Sequence, residues 1–222
     1  MTPLYTVHLL NPDYTNARSL LERAVFPWEI LPQLKDFILA LGETLSAEDY
    51  DRPAQTVWIH KSAKVAPTAH IGERVIIGAE TEVRHCAFIR GDALIGKSAV
   101  VGNSTEIKNA LLFDGVQVPH YNYVGDSILG HKAHLGAGVV LSNFRSDHGA
   151  VPIHWQGKRI ETGLRKFGAI LADGADIGCN SVLNPGTVIG RNTVVYPLSM
   201  VRGVVAANSI YKKQGEIVEK RE

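Results

Sequence analysis

From Ile59 onward an aliphatic or aromatic residue returns at every sixth position for most of the chain. Ile59, Val65, Ile71, Ile77, Val83, Ile89, Ile95, Val101, Ile107 and Phe113 keep one phase, which resumes as Leu171, Ile177, Leu183, Ile189, Val195 and Val201. A small residue often follows, as in Ile71-Gly72, Ile95-Gly96 and Ile189-Gly190. Helices repeat at 3.6 residues and isolated strands at 2, so a sustained period of six demands a short strand plus a tight turn, repeated and stacked. The pattern predicts a mainly β protein built as a parallel β-helix of hexapeptide repeats. Three hexads close one triangular turn, and about seven turns spaced about 4.8 Å apart make a prism roughly 34 Å tall.

The rest of the chain is organised around that prism. Residues 1–55 lack the six-residue phase, and their apolar spacing predicts two helices, about 15–25 and 28–44, with Pro27 near the start of the second, then a polar linker. This small N-terminal helical segment precedes a β-helix over 56–205 and a C-terminal tail over 206–222. The phase slips between Phe113 and Leu135, where successive steps are five, six, five and six residues. Residues 142–168 abandon the pattern as a long inserted loop, the kind of segment that carries function in a compact fold or is disordered.

Composition narrows the function classes. A net charge of +1 with mixed signs gives no field for nucleic acid or an anionic membrane. Cys86 and Cys179 are far apart and without metal-like spacing, which predicts two buried or half-buried thiols in a reducing compartment. The first ten residues show no charged-then-apolar leader pattern, and no apolar run approaches 20 residues, so a cytoplasmic protein is expected.

Candidate chemistry lies where the repeat breaks. The normally small position after the aliphatic holds Arg90 and Lys108, three hexads apart, so one full turn should stack them with Glu106 alongside. Two stacked cations form a clamp for a phosphate or carboxylate, Arg as a fork and Lys as a point charge; equally, they form a solvated face that Glu106 neutralises. His120 lies inside the phase slip. It is either a general base, with Glu106 orienting its ring and Tyr123 nearby, or an ordinary surface histidine. His131, His134, His148 and His154 lack the spacing of a metal site.

The stretch Glu106-Ile-Lys-Asn-Ala110, with Val118-Pro-His-Tyr-Asn-Tyr-Val-Gly-Asp126, Leu135-Gly-Ala-Gly138 and Ser142-Asn143, resembles the C-terminal acetyltransferase domain of bifunctional N-acetylglucosamine-1-phosphate uridyltransferases. The segment 157–169 resembles the archaeal-type sugar-1-phosphate nucleotidyltransferase branch, and Phe26-Pro-Trp-Glu-Ile-Leu31 the segment ending the pyrophosphorylase domain, which is otherwise absent. The resemblance covers about 57–205. It implies a left-handed β-helix, a homotrimer with sites between subunits, acetyl-CoA as co-substrate with no metal, and transfer of the acetyl group to the amine of glucosamine or galactosamine 1-phosphate.

Residue by residue, the resemblance makes His120 the base. Arg90 and Lys108 hold the sugar phosphate, Tyr123 touches the same substrate, and Lys166 reaches in from the loop. Asn143 binds the acetyl-CoA side and orients the acyl group. Cys179 and Pro197 border the coenzyme slot. His134 takes the sugar-side position where that family often has asparagine, and Phe144 replaces a tyrosine. Two other readings stand beside this one: a non-catalytic sugar-phosphate-binding paralogue, and a metalloenzyme like the γ-class carbonic anhydrases, which Arg90-Gly91-Asp92 resembles.

Overall fold

The computed structural model describes residues 4–220. The outermost residues of the predicted N-terminal segment and C-terminal tail, 1–3 and 221–222, lie outside it. Its body is a parallel β-solenoid with three faces, each a ladder of strands one coil apart.

The first face runs from Val57–His60 through the later halves of His70–Ile77, Phe88–Ile95, Glu106–Leu112 and Tyr123–Leu129 to Ala169–Leu171, Thr187–Ile189 and Val204–Val205. The second runs from Lys64–Val65 through Gln117–His120 and His134–Leu135 to Ser209–Lys213. The third comprises the early halves of the long bent strands, followed by Val140–Leu141, Val182–Leu183 and Met200–Val201.

The hexad arithmetic holds for the first coils and then fails one step earlier than the sequence phase suggests. Ile77 pairs with Ile95, a full three hexads on, but Ile95 pairs with Leu112, one position short of that. Leu112 therefore takes the inward position expected of Phe113, and Phe113 moves to the corner, still buried. The cause is a bulge at Arg90: Ile89 pairs with Ile107, yet the next partners are Gly91 and Lys108. From there the corner between the third and first faces is one residue tighter. Leu141 and Leu183 still pair one coil apart, so the extra chain between them is extruded as the loop.

The N-terminal segment has a clear purpose. First-face strands carry apolar residues on both sides, so the outward Trp58, Ile76, Leu94, Leu111, Ile128, Ile170 and Val188 need a cover. Residues 4–45 supply it, and all seven are buried. At roughly 1.5–3 kcal/mol for each fully buried large side chain, this is a major share of the core. The cover is less helical than expected: short α-helices Thr6–Leu9, Arg18–Leu21 and Leu34–Gly42, with 3₁₀ turns Pro12–Tyr14 and Pro27–Gln33. Pro32 explains the split of the second predicted helix, since it lacks the N–H an α-helix would use there. Asp173 latches the segment, accepting from the Asn11 N–H at 2.9 Å while Arg191 donates to the Leu9 carbonyl at 3.1 Å.

At the other end the coil continues past 205. Ile210 and Tyr211 pair with Val194 and Val195, and Glu216–Glu219 returns antiparallel to close the ladder. Cys86 and Cys179 are exposed, not buried: both sit at corners, where the chain turns away from the core.

Candidate functional site

Two edges of the prism carry the predicted residues. Between the third and first faces, Lys108 stands opposite Gly91 on one side and Gly125 on the other. Arg90 is the bulged residue, so the two cations do not stack as the spacing suggested. Each already has a carboxylate. The Arg90 guanidinium donates to Glu106 Oε1 at 2.8 Å, and Lys108 Nζ donates to both oxygens of Asp126 at 3.2 Å. Within one chain Glu106 thus serves Arg90 and not the ring of His120.

Asp126 is the centre of this edge. It is 3% exposed and also accepts from Asn109 Nδ2 at 2.8 Å and Asn143 Nδ2 at 2.5 Å. The Asn143 side-chain amide reaches the Tyr123 hydroxyl as well, at 3.1 Å, leaving its side-chain Oδ1 without a protein partner among the described residues. A buried carboxylate needs this many donors to offset its lost hydration. Local backbone makes the convergence possible. Asn109 and Asp126 adopt positive φ at the tightened corner, which short amide and carboxylate side chains tolerate. Gly125 is required because a Cβ there would lie 2.6 Å from both the Asn143 amide nitrogen and the Tyr123 oxygen. Burial raises the Tyr123 pKa against the opposing hydrogen bond from Asn143, so the phenol stays protonated and able to donate.

His120 lies on the other edge, between the second and third faces, at the far end of the same coil. Its backbone is held by Asn122, which is buried, accepts from the His120 N–H at 3.1 Å and donates to the Gly136 carbonyl at 2.8 Å. The imidazole itself is exposed and makes no side-chain hydrogen bond among the described residues. Beneath it on this edge, backbone bonds from Gly138 to His120, Asn180 to Ala137 and Leu198 to Cys179 stack His120, Ala137, Cys179 and Pro197 in one column. The two residues expected to border a coenzyme therefore continue the line of the histidine. Asn143 does not share that edge.

The remaining candidates are dispersed. Lys166 closes the stem of the inserted loop opposite Phe144, and the Phe167 N–H donates to the Asn143 carbonyl, so the loop fixes Asn143 from both sides. The loop is ordered as a hairpin, Pro152–Trp155 against Lys158–Glu161. His134 projects from the second face and pairs with Asp176 at 2.8 Å. That hydrogen bond raises the histidine pKa and lowers the carboxylate's. His131 stacks on Tyr14 of the N-terminal cover, 3.7 Å between ring centres, which is a structural duty. Among the described residues no three His, Cys, Asp or Glu side chains converge as a metal-binding group, and no helix is long and apolar enough to cross a membrane.

Asp126 had a detectable signal. It lies three hexads beyond Lys108, one nominal turn, just as Lys108 lies beyond Arg90. Asn122 and Gly125 had none, because their importance rests on where a kink places neighbouring backbone.

No protein-family model matches the chain. It is 30% identical over 189 residues to a bifunctional sugar-1-phosphate nucleotidylyltransferase/acetyltransferase of Sulfurisphaera tokodaii, a match covering 84% of this chain and 47% of that protein. It is 29% identical over 198 residues to a protein of Methanococcus maripaludis described as bifunctional protein GlmU, covering 88% and 48%. The chain is thus related to these bifunctional proteins and spans about half their length. Among solved structures, a hexapeptide transferase family protein from Anaplasma phagocytophilum shares 15% identity at a TM-score of 0.42, over 75% of this chain and 80% of that one.

Proposed function

We propose that the protein is an acyltransferase that moves an acetyl group from acetyl-CoA to the amine of an amino-sugar 1-phosphate, at a site completed by two copies of the chain. One observation carries this reading: a free imidazole stands one prism face away from a preassembled Lys108, Asp126, Asn143 and Tyr123 cluster. The relatives' printed description as sugar-1-phosphate nucleotidylyltransferase/acetyltransferases agrees with it.

Six positions separate His120 from Asp126, and Tyr123 and Val124 of the third face lie between the two edges they occupy. A second copy bringing its His120 edge against the Lys108 edge removes that separation. Exposed Phe88, Val182 and Met200 on the third face give such a homotrimer an apolar contact.

In this arrangement His120 accepts the proton as the neutral amine attacks the thioester carbonyl. The carbon–nitrogen bond forms, the carbon–sulfur bond breaks, and the thiolate leaves to be protonated. Positioning of the two substrates and proton removal are the protein's main contributions. Arg90 and Lys108 keep N–H groups beyond those bonded to Glu106 and Asp126, and these receive the phosphate. Because both cations are pre-neutralised, the site discriminates by hydrogen-bond geometry more than by net charge.

The same pairing favours a second reading, a binding module without turnover. A coenzyme A thiol-release assay across amino-sugar 1-phosphates separates them: release with at least one acceptor is expected. Tight sugar-phosphate binding with no release from any acceptor establishes the module instead.

A further inference from the structure

The inserted hairpin does more than close over Asn143. Its buried Val151 and Ile153 seat it against the last coils, and Gly186, at positive φ, admits the Pro152 carbonyl, which a Cβ would meet at 2.7 Å. Between hairpin and coils lies a half-open groove of about 590 Å³, lined by Ser142, Phe144, Arg145, His154, Arg159 and Arg202, among others. We propose that this groove binds a nucleoside diphosphate group.

Three features specify that chemistry. First, three guanidinium groups line the groove against one carboxylate, Asp147, which Arg145 already engages. Arg159 is held by Glu161. Arg202 lines the groove, is exposed and makes no ion pair or side-chain hydrogen bond among the described residues, so its fork is uncommitted. Arginine forks match the oxygens of phosphates bidentately. Second, Phe144 is a 37% exposed ring on the same lining, beside His148 at 5.1 Å, and offers a stacking surface for a base. Third, the volume suits a nucleotide rather than a lone phosphate.

The groove also begins beside the proposed reaction site. Ser142 and Phe144 flank Asn143 in the chain, and Ser142, Asn184 and Arg202 descend one edge coil by coil, directly below Lys108 and Gly125. Two sources present the required group: the nucleotide end of a coenzyme A donor, or a separate nucleotide. Identifying it with the donor rests on the acyl-transfer reading; the groove itself does not.

Isothermal titration with ADP, adenosine and coenzyme A tests the proposal on the full chain and on Arg202→Glu and Arg202→Lys. ADP is expected to bind, adenosine much more weakly, and Arg202→Glu to weaken ADP by about tenfold or more, with Arg202→Lys intermediate. Arg202 has no protein partner to lose, so thermal unfolding should not change; Arg159→Ala provides an independent second variant. Competition between coenzyme A and ADP, both dependent on Arg202, identifies the donor as the source. ADP binding that coenzyme A does not displace identifies a separate nucleotide. No heat with millimolar ADP, or ADP binding equal in wild type and both variants, overturns the groove. Because the readout is binding, absence of acyl transfer with Arg202-dependent coenzyme A binding would remove the proposed reaction and leave the groove standing.

Discussion

The two working edges of the prism are built on opposite plans. At the Lys108 edge the side chains are tied to one another: a carboxylate buried to 3% exposure, three side-chain donors on it, and a glycine that lets them close. At the His120 edge the backbone is fixed by buried Asn122 while the ring is left free in solvent. Under the proposed reaction, the difference is a division of labour. Preorganised dipoles must not move when charge develops, so they are locked. A base must exchange protons with both substrate and water, so it stays open.

Breaking the open edge should have the largest effect. His120→Ala is expected to lower kcat roughly 10²–10⁴-fold with little change in coenzyme binding, measured by thiol release and titration. Turnover like the wild type's would remove the base. The comparison sharpens if His120→Ala and Lys108→Ala chains are co-assembled: mixed oligomers should regain activity well above either variant alone, since some interfaces pair an intact histidine with an intact lysine. Mixtures no more active than their components would place the site within one chain.

Breaking the locked edge should show first in stability. Asp126→Ala leaves Lys108 and Asn109 unpaired and should cost about 3 kcal/mol in chemical denaturation, as loss of one partner of a buried pair does. Gly125→Ala should cost about 1–3 kcal/mol by overpacking, and raise the acceptor KM by parting Asn143 from Tyr123. A variant as stable as wild type would show that the cluster relaxes freely.

The smallest effect belongs to His134 and Asp176, which lie on neither edge. The histidine pKa is raised from 6.5, so its contribution is complete below that value and fades as pH rises through the raised one. The aspartate pKa is lowered from 3.8, so its contribution is present above that value and fades as pH falls through the lowered one. The pair should therefore stabilise most between about pH 4 and 6.5. For half-exposed groups the amount is below about 1 kcal/mol. Unfolding midpoints of His134→Gln against wild type across pH 4–9 check this, with the gap shrinking at the alkaline end.

Much of this was legible in the chain. Ile59 through Ile107 announce the solenoid because every coil must return an aliphatic side chain to the same narrow interior, a constraint each repeat states independently. Arg90 and Lys108 stand out because they interrupt that repetition, whereas Tyr123 and Asn143 carry their expected roles only by the family resemblance. Asp126 carries only its three-hexad spacing from Lys108, and a polar residue at a corner looks like ordinary turn chemistry until three donors converge on it. The N-terminal cover was equally opaque: seven outward apolar residues on one face call for a partner, but not for which partner.

What the sequence by itself determined, then, was periodic: the coil, the length of the insertion and the identity of the residues that break rhythm. Tertiary structure alone decided which of those residues meet. One bulged residue at Arg90 shortens the next corner, moves Leu112 inward in place of Phe113, and sets Lys108 between two glycines over Asp126. A single-residue shift in register turns side chains to a different side of the strand, so spacing alone could count the charges but not seat them.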